Sequence, residues 1–386
     1  MVFSLRSVVH MDNKRFIIFL VCLGNIAISF NTGAVAAAIP LIAADFHTTD
    51  FVVARIVPYY MIPYGLGALL YAPLTRFFAY RAILIAAMAV FAVFSLIAGM
   101  SQSLTTILLA QIAAGIAAAS STPLGLMMIG DFFAKNVRGR LVGTYFGCSF
   151  FAAVGGMIFM GTVHWRWLFL VPAILGALTA LCWIFFSNAL VNQGHKGSID
   201  YLKALARPHI RNVFLLIFAM SFLYHGVHKW YGVFLTREYG LDKTVISFIL
   251  IITALAGLTG QQIGGYLSDK KGRLTASYAG MGALAMGVLL LSIHFSIALV
   301  GVILALIAIG WTVSHNSVST VLTDFPDDDR PLIASLNSAV RFISGGLGFS
   351  ASKFFVAQSF SLTFFGIGVL ILLLIFIIKN ILNIKH

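Results

Sequence analysis

His225, His228 and Lys229 stand at i, i+3 and i+4 in an otherwise apolar stretch. On a helix that spacing puts all three on one face. Lysine supplies fixed positive charge, and histidine supplies donors and a proton that exchanges near neutral pH, so such a face can hold an anion. Two further groups have the same character. Trp311, His315 and Ser319 fall on one helical stripe with Asn316 beside it, and Asn337 and Arg341 are again four residues apart. Trp311 would add an apolar wall. The competing reading is packing, with each polar side chain bonded to a backbone carbonyl or a neighbour. Against it stands the cost of charge at the bilayer centre, at least ~2.5–3.5 kcal/mol per residue on insertion scales. No nucleophile–base pair and no metal-ligand spacing shares a depth with these groups. Cys22, Cys148 and Cys182 have no paired spacing. Neither an enzyme nor a cofactor is indicated.

The elements that must position these residues follow from composition. The chain has 386 residues, 60% hydrophobic and 10% charged, with a mean hydropathy of +0.99. A soluble domain is about 45–50% apolar and about 25% charged. So little charge cannot coat a soluble globule, and an integral membrane protein in contact with the lipid bilayer is expected. The net charge of +13 does not point to nucleic acid, because the basic residues are dispersed at the ends of apolar stretches.

A span needs ~20 apolar residues. Twelve are expected, at about 16–39, 53–74, 82–100, 104–128, 142–163, 166–187, 212–235, 245–267, 274–293, 296–322, 332–356 and 360–379. Their length and the lack of period-2 alternation select helices over barrel strands. All twelve Asp and Glu residues fall in loops or at span ends. The loops on the side of both termini hold 18 Lys and Arg residues against five on the other side, which predicts cytoplasmic termini. Landmarks repeat: Asp131-Phe132 and Asp324-Phe325 lie 193 residues apart, as do Tyr71–Thr75 and Gly264–Ser268. The expected fold is therefore all-α, with twelve transmembrane helices in two pseudo-symmetric six-helix lobes. The lobes are expected at 1–187 and 212–386, joined by a polar cytoplasmic linker at 188–211. Tyr201–Leu205 in that linker could form a short surface helix.

Between the eighth and ninth spans the chain reads Gly265-Tyr266-Leu267-Ser268-Asp269-Lys270-Lys271-Gly272-Arg273. This resembles the Gly-x-Leu-x-Asp-x-x-Gly-Arg loop of the major facilitator superfamily. Ile39–Phe46, Asp131-Phe132-Phe133, Arg138-Gly139-Arg140 and Trp165–Phe169 resemble that family's drug:proton antiporter branch in order and spacing. Three departures stand out. In the first-half loop Arg76 replaces the motif Asp. Gln111 stands in the fourth span where antiporters carry an arginine, and Phe151-Ala152 replace the Gly-Pro of the fifth.

The resemblance implies that the first, fourth, seventh and tenth spans line a central cavity. That places Asn31 and Gln111 with the basic clusters as substrate contacts. It also implies a cytoplasmic latch, with Asp269 near Arg138 or Arg140, Arg273 paired with Asp324, and Asp131 in the matching loop of the first half. Gly272 turns the chain. With Arg76 in place of an acid, a reversed latch is expected, in which Arg76 or Arg81 meets Asp327-Asp328-Asp329. The implied function is alternating-access transport of a small organic anion across a bacterial-type inner membrane, by a functional monomer, with efflux slightly favoured. If protons are coupled, His225, His228 and His315 are the candidate carriers; uncoupled anion movement stays open. So do a drug:proton antiporter for apolar or cationic compounds and a membrane sensor that does not transport.

Overall fold

The computed structural model describes residues 2–186, 191, 200–322 and 330–382. These residues form helices and turns, and twelve helical segments are long and apolar enough to cross a membrane. They are Lys14–Ala37, Asp50–Leu74, Tyr80–Met100, Leu104–Phe132, Asn136–Thr162, Trp167–Phe185, Pro208–Tyr239, Lys243–Lys271, Arg273–Leu291, Ile297–Ser319, Leu332–Val356 and Phe360–Lys379. Every expected span has its counterpart. The largest shift is in the fifth, which starts near 136 rather than 142, leaving a turn of only two residues, Phe133 and Ala134, after the fourth. Hydropathy marks the apolar thickness of a membrane, whereas a helix can continue beyond it, here through Arg138 and Arg140. The linker helix is present as Tyr201–Ala206. Asp200 caps it by accepting from the Lys203 backbone N–H at 2.9 Å.

Four spans are broken, although the sequence reads each as continuous; the second is interrupted near its start, where Asp50–Val53 and a 3-10 turn at Ala54–Ile56 precede Pro58–Leu74. The first is helical over Val2–Ser29 and again over Ala34–Ala37, with Phe30–Gly33 unwound. Asn31, Thr32 and Gly33 are poor helix formers, and the Thr32 hydroxyl turns back to the Ile28 carbonyl at 3.1 Å. The fourth splits into Leu104–Ala118 and Ser121–Phe132. Pro123 explains this break, since it has no N–H for the Ala119 carbonyl and its ring crowds that group. The seventh splits into Pro208–His228 and Tyr231–Tyr239, with Lys229 and Trp230 between. No proline or glycine stands at this break. Instead Trp230 is fully buried and anchored, donating Nε1–H to Ser352 Oγ at 2.9 Å.

The two ends of the bundle differ. The end carrying the Tyr201–Ala206 helix is called the linker end, and the other the far end. At the far end the halves are tied together. Arg237 pairs with Asp50 at 2.6 Å. Lys243 Nζ donates to the Val163 carbonyl at 3.0 Å, and Thr244 Oγ1 to that of Gly161 at 3.1 Å. Ser247 Oγ donates to Met157 O. Gly232 lies flat against the Ala37 backbone, where any Cβ would collide. Along the same fifth and eighth spans toward the linker end, no such bonds are made among the described residues, and a Cβ at Gly139, Gly143 or Gly147 would meet nothing within 4 Å. The seam of the second and eleventh spans is packed further down, with Tyr64 stacked on Phe342 at 3.7 Å between ring centroids. The Tyr201 hydroxyl reaches the Leu69 carbonyl at 3.0 Å.

Candidate functional site: a cationic, aromatic cluster at mid-bundle

The Pro208–His228 helix of the seventh span sets its two histidines beside the tenth and eleventh spans. Tyr224 stacks on Trp311 with ring centroids 4.0 Å apart and planes within 2° of parallel. His228 stacks on Tyr224 at 4.9 Å. His225 meets Trp311 edge-on at 5.8 Å, and His315 lies 5.3 Å from the same indole. His225 Nδ1 sits 2.8 Å from the Ser221 carbonyl, and Ser221 Oγ donates to the Arg341 carbonyl at 2.9 Å. His315 Nε2 is 3.3 Å from Ser319 Oγ. Trp311, His225, His228 and His315 therefore gather as their spacing suggests.

Arg341 is close enough for its charge to act on Tyr64, Tyr224, His225 and His315. It makes no side-chain hydrogen bond or ion pair with another described residue, and its Nε is buried without a partner. His228 Nδ1 and Asn337 Oδ1 are also buried and unpartnered. Leaving such groups unmade costs about 1–3 kcal/mol each, and more for a charged one. No carboxylate among the described residues contacts Arg341, Lys229 or the three histidines. The cluster is a set of unspent donors and positive charge against aromatic walls, which is what an anion carrying an apolar body would complete.

The other expected contacts are more dispersed. Lys229 is 5% exposed, and its ammonium is turned to the first span, donating to the Thr32 carbonyl at 2.9 Å. Asn31 is buried in the unwound part of that span. Gln111 is buried in Leu104–Ala118 with no hydrogen bond to another described residue. Asn316 points away from the cluster, its Nδ2 donating to the Gln261 carbonyl of the eighth span at 3.0 Å. One step along a helix turns a side chain by about 100°, enough to separate it from His315.

Of the expected latch residues, Asp269 is exposed and makes no ion pair among the described residues. Arg138 Nε instead donates to the Phe133 carbonyl at 2.8 Å. Arg140 and Arg76 are exposed. Arg81 holds the end of the sixth span, Nε donating to the Trp183 carbonyl at 2.9 Å and the guanidinium also reaching that of Ile184. Asp131 accepts from the Tyr80 hydroxyl at 2.7 Å. The Arg273 carbonyl accepts from Ser317 Oγ at 2.6 Å. Gly272 has φ +83°, a conformation that favours glycine. Asp324 and Asp327–Asp329 lie outside the described residues.

The sequence reading leaves out Tyr224, Phe342 and Tyr64. Tyr224 had a signal, since it stands four before His228 and so shares its stripe. Tyr64 and Phe342 had none, because their meeting joins spans from opposite halves.

Solved proteins of this architecture match the chain over 94–96% of its length. A bacterial homologue of the human lysosomal transporter Spinster, solved in an inward-facing and unoccupied conformation, superposes with a TM-score of 0.78 at 15% identity, covering 96% of this chain and 97% of that one. The human organic anion transporter MFSD10 gives 0.70 at 14% identity, covering 94% and 98%. Among sequence relatives, a multidrug transporter of Candida glabrata is 25% identical over 196 residues, or 50% of this chain and 33% of that protein. An uncharacterized transporter of Schizosaccharomyces pombe is 24% identical over 232 residues, or 51% and 43%. The chain thus spans less than half the length of these two relatives. The sequence profile of the Major Facilitator Superfamily matches residues 21–349. Twelve membrane helices in two six-helix halves, superposing on solved transporters, agree with that match, and the chain belongs to the Major Facilitator Superfamily of membrane transporters.

Proposed function

We propose that this transporter carries a small organic anion, a carboxylate-bearing metabolite by preference, by alternating access. The observation that carries the reading is Arg341, a half-buried guanidinium with no side-chain partner among the described residues and with its Nε buried and orphaned. A guanidinium's planar fork matches a carboxylate in two parallel hydrogen bonds. The stack of His228, Tyr224 and Trp311 offers apolar faces for the rest of the molecule. The residues that would bind are Arg341, His225, His228, His315, Trp311 and Asn337, with Asn31 and Gln111 approaching from the first half. If a proton moves with the anion, the three histidines are its carriers. The bias of basic residues supports a cytoplasmic linker end and an inner-membrane location. A far end tied shut beside a fifth–eighth seam that parts toward the linker end is the arrangement expected of an inward-facing state.

A second reading is export of apolar drugs in exchange for protons. It is favoured by the aromatic stack and by the name of the Candida glabrata relative. Uptake of labelled carboxylates and of labelled cations into proteoliposomes, with and without a pH gradient, separates the two. Carboxylate uptake that falls at least about tenfold in Arg341→Gln is expected, since a hydrogen bond to a charged group is worth about 1.5–3 kcal/mol. Cation or neutral-drug transport that survives the substitution would refute the anion reading.

A further inference from the structure

Lys229 is the buried cation that the anion reading does not need. Its ammonium sits where two broken helices end. Pro208–His228 terminates at Lys229 itself, and Val2–Ser29 terminates just before the carbonyl it binds. The negative ends of two helix dipoles thus converge on one positive charge, which explains how it stays buried without a carboxylate. The carbonyl is also a freed one. The backbone ladder of the first span bonds Val35 N–H to Asn31 O at 3.1 Å and Ala37 N–H to Gly33 O at 3.3 Å, with no such bond to Thr32 O. Thr32 O accepts from Lys229 at 2.9 Å. The bond joins the two halves of the molecule, directly beneath the close contact of Gly232 with Ala37. Unwound carbonyls and half-helix ends of this kind hold Na⁺ in other transporters; here the chain supplies the cation.

We propose that Lys229 is a built-in cation that locks the far end shut by bridging the breaks of the first and seventh spans, and that the carried anion releases the lock by drawing the ammonium off the Thr32 carbonyl. The release step rests on the anion reading, and the lock does not. Lys229 lies one helical turn from His225, so an anion held by Arg341 and the histidines enters the field of the ammonium. A backbone carbonyl is the weaker partner, because a hydrogen bond between two charged groups is shorter and stronger than one to a neutral acceptor. Binding and opening would then be one event, and the empty carrier would stay shut at the far end.

The test reads the far end by spin-label distance in proteoliposomes. Labels are placed at cysteines replacing Gln102 and Gln358, exposed turn residues of opposite halves, in the full chain with Cys22, Cys148 and Cys182 replaced by alanine. Without ligand, the unsubstituted protein should show one short distance. Lys229→Met should raise the long-distance population about tenfold, the loss of one charge-assisted bond. Lys229→Gln, which keeps a donor without charge, should fall between and serves if the methionine variant does not assemble. A distance distribution unchanged in both variants would overturn the lock. Benzoate and succinate as probes should lengthen the distance in the parent protein but not in Arg341→Gln, whose ligand-free distance should be normal. If Lys229→Met opens the far end yet no carboxylate moves the parent distribution, the lock stands and release by an anion is overturned.

Discussion

Two buried polar clusters, one in each half of the bundle, are treated in opposite ways. Around Asn25 in the first half the groups are satisfied within the lobe. Asn25 Nδ2 donates to the Tyr145 carbonyl at 2.8 Å and also reaches Ser149 Oγ, while Ser121 Oγ lies 2.7 Å from the Tyr145 hydroxyl. These bonds join the first, fourth and fifth spans and leave little for a ligand. In the second half Arg341 Nε, His228 Nδ1 and Asn337 Oδ1 are buried without partners. Both sets read as polar residues in apolar helices, yet a saturated network holds helices together and an unsaturated one is poised to bind.

The comparison can be broken in order of effect. Arg341→Gln should reduce carboxylate transport by roughly 10- to 150-fold, the equivalent of about 1.5–3 kcal/mol, while thermal stability in detergent holds or rises as an unpaired, half-buried charge disappears. Equal loss of stability and transport would make Arg341 structural. Asn25→Leu should do the reverse. Leaving the Tyr145 carbonyl and Ser149 without their donor costs about 1–3 kcal/mol, seen as a lower unfolding temperature with near-normal uptake per folded molecule. Trp311→Leu should weaken binding of an aromatic carboxylate more than that of an aliphatic one, by about 0.5–1.5 kcal/mol for the lost ring contact. Competition between benzoate and succinate reads this directly; identical losses for both would remove the aromatic wall from the site. The smallest effect is expected at the far end. Asp50→Asn breaks the pair with Arg237, whose side chain is 41% exposed, and such pairs are worth about 0–1 kcal/mol. The Gln102–Gln358 label distance should barely change, whereas Lys229→Met changes it strongly.

Much of this architecture was legible in the chain. Lipid leaves no backbone group unpaired, so apolar length translates almost directly into helices, and each of the twelve spans stands within a few residues of its expected place. His225 and His228 were legible as a face because i, i+3 and i+4 spacing survives any tertiary arrangement. Lys229 shared that spacing but not that environment, because the helix breaks at Lys229 and turns its ammonium to Thr32. Asn316 went astray for a related reason: adjacency in sequence to His315 is divergence in direction on a helix. The latch of Asp269 with Arg138 or Arg140 is not made in this conformation. A motif records that two residues can meet in some state of a moving protein, and one state shows only some of those meetings.

What the amino-acid order determined by itself was local and additive: span number, helical type, the basic face of the seventh span, and the turn at Gly272. What only the tertiary structure decided was which polar groups are spent and which are left. That outcome depends on groups brought together from distant parts of the chain. Thr32 and Lys229 are 197 residues apart, and no local pattern states that a carbonyl freed by one broken helix will meet an ammonium at the break of another.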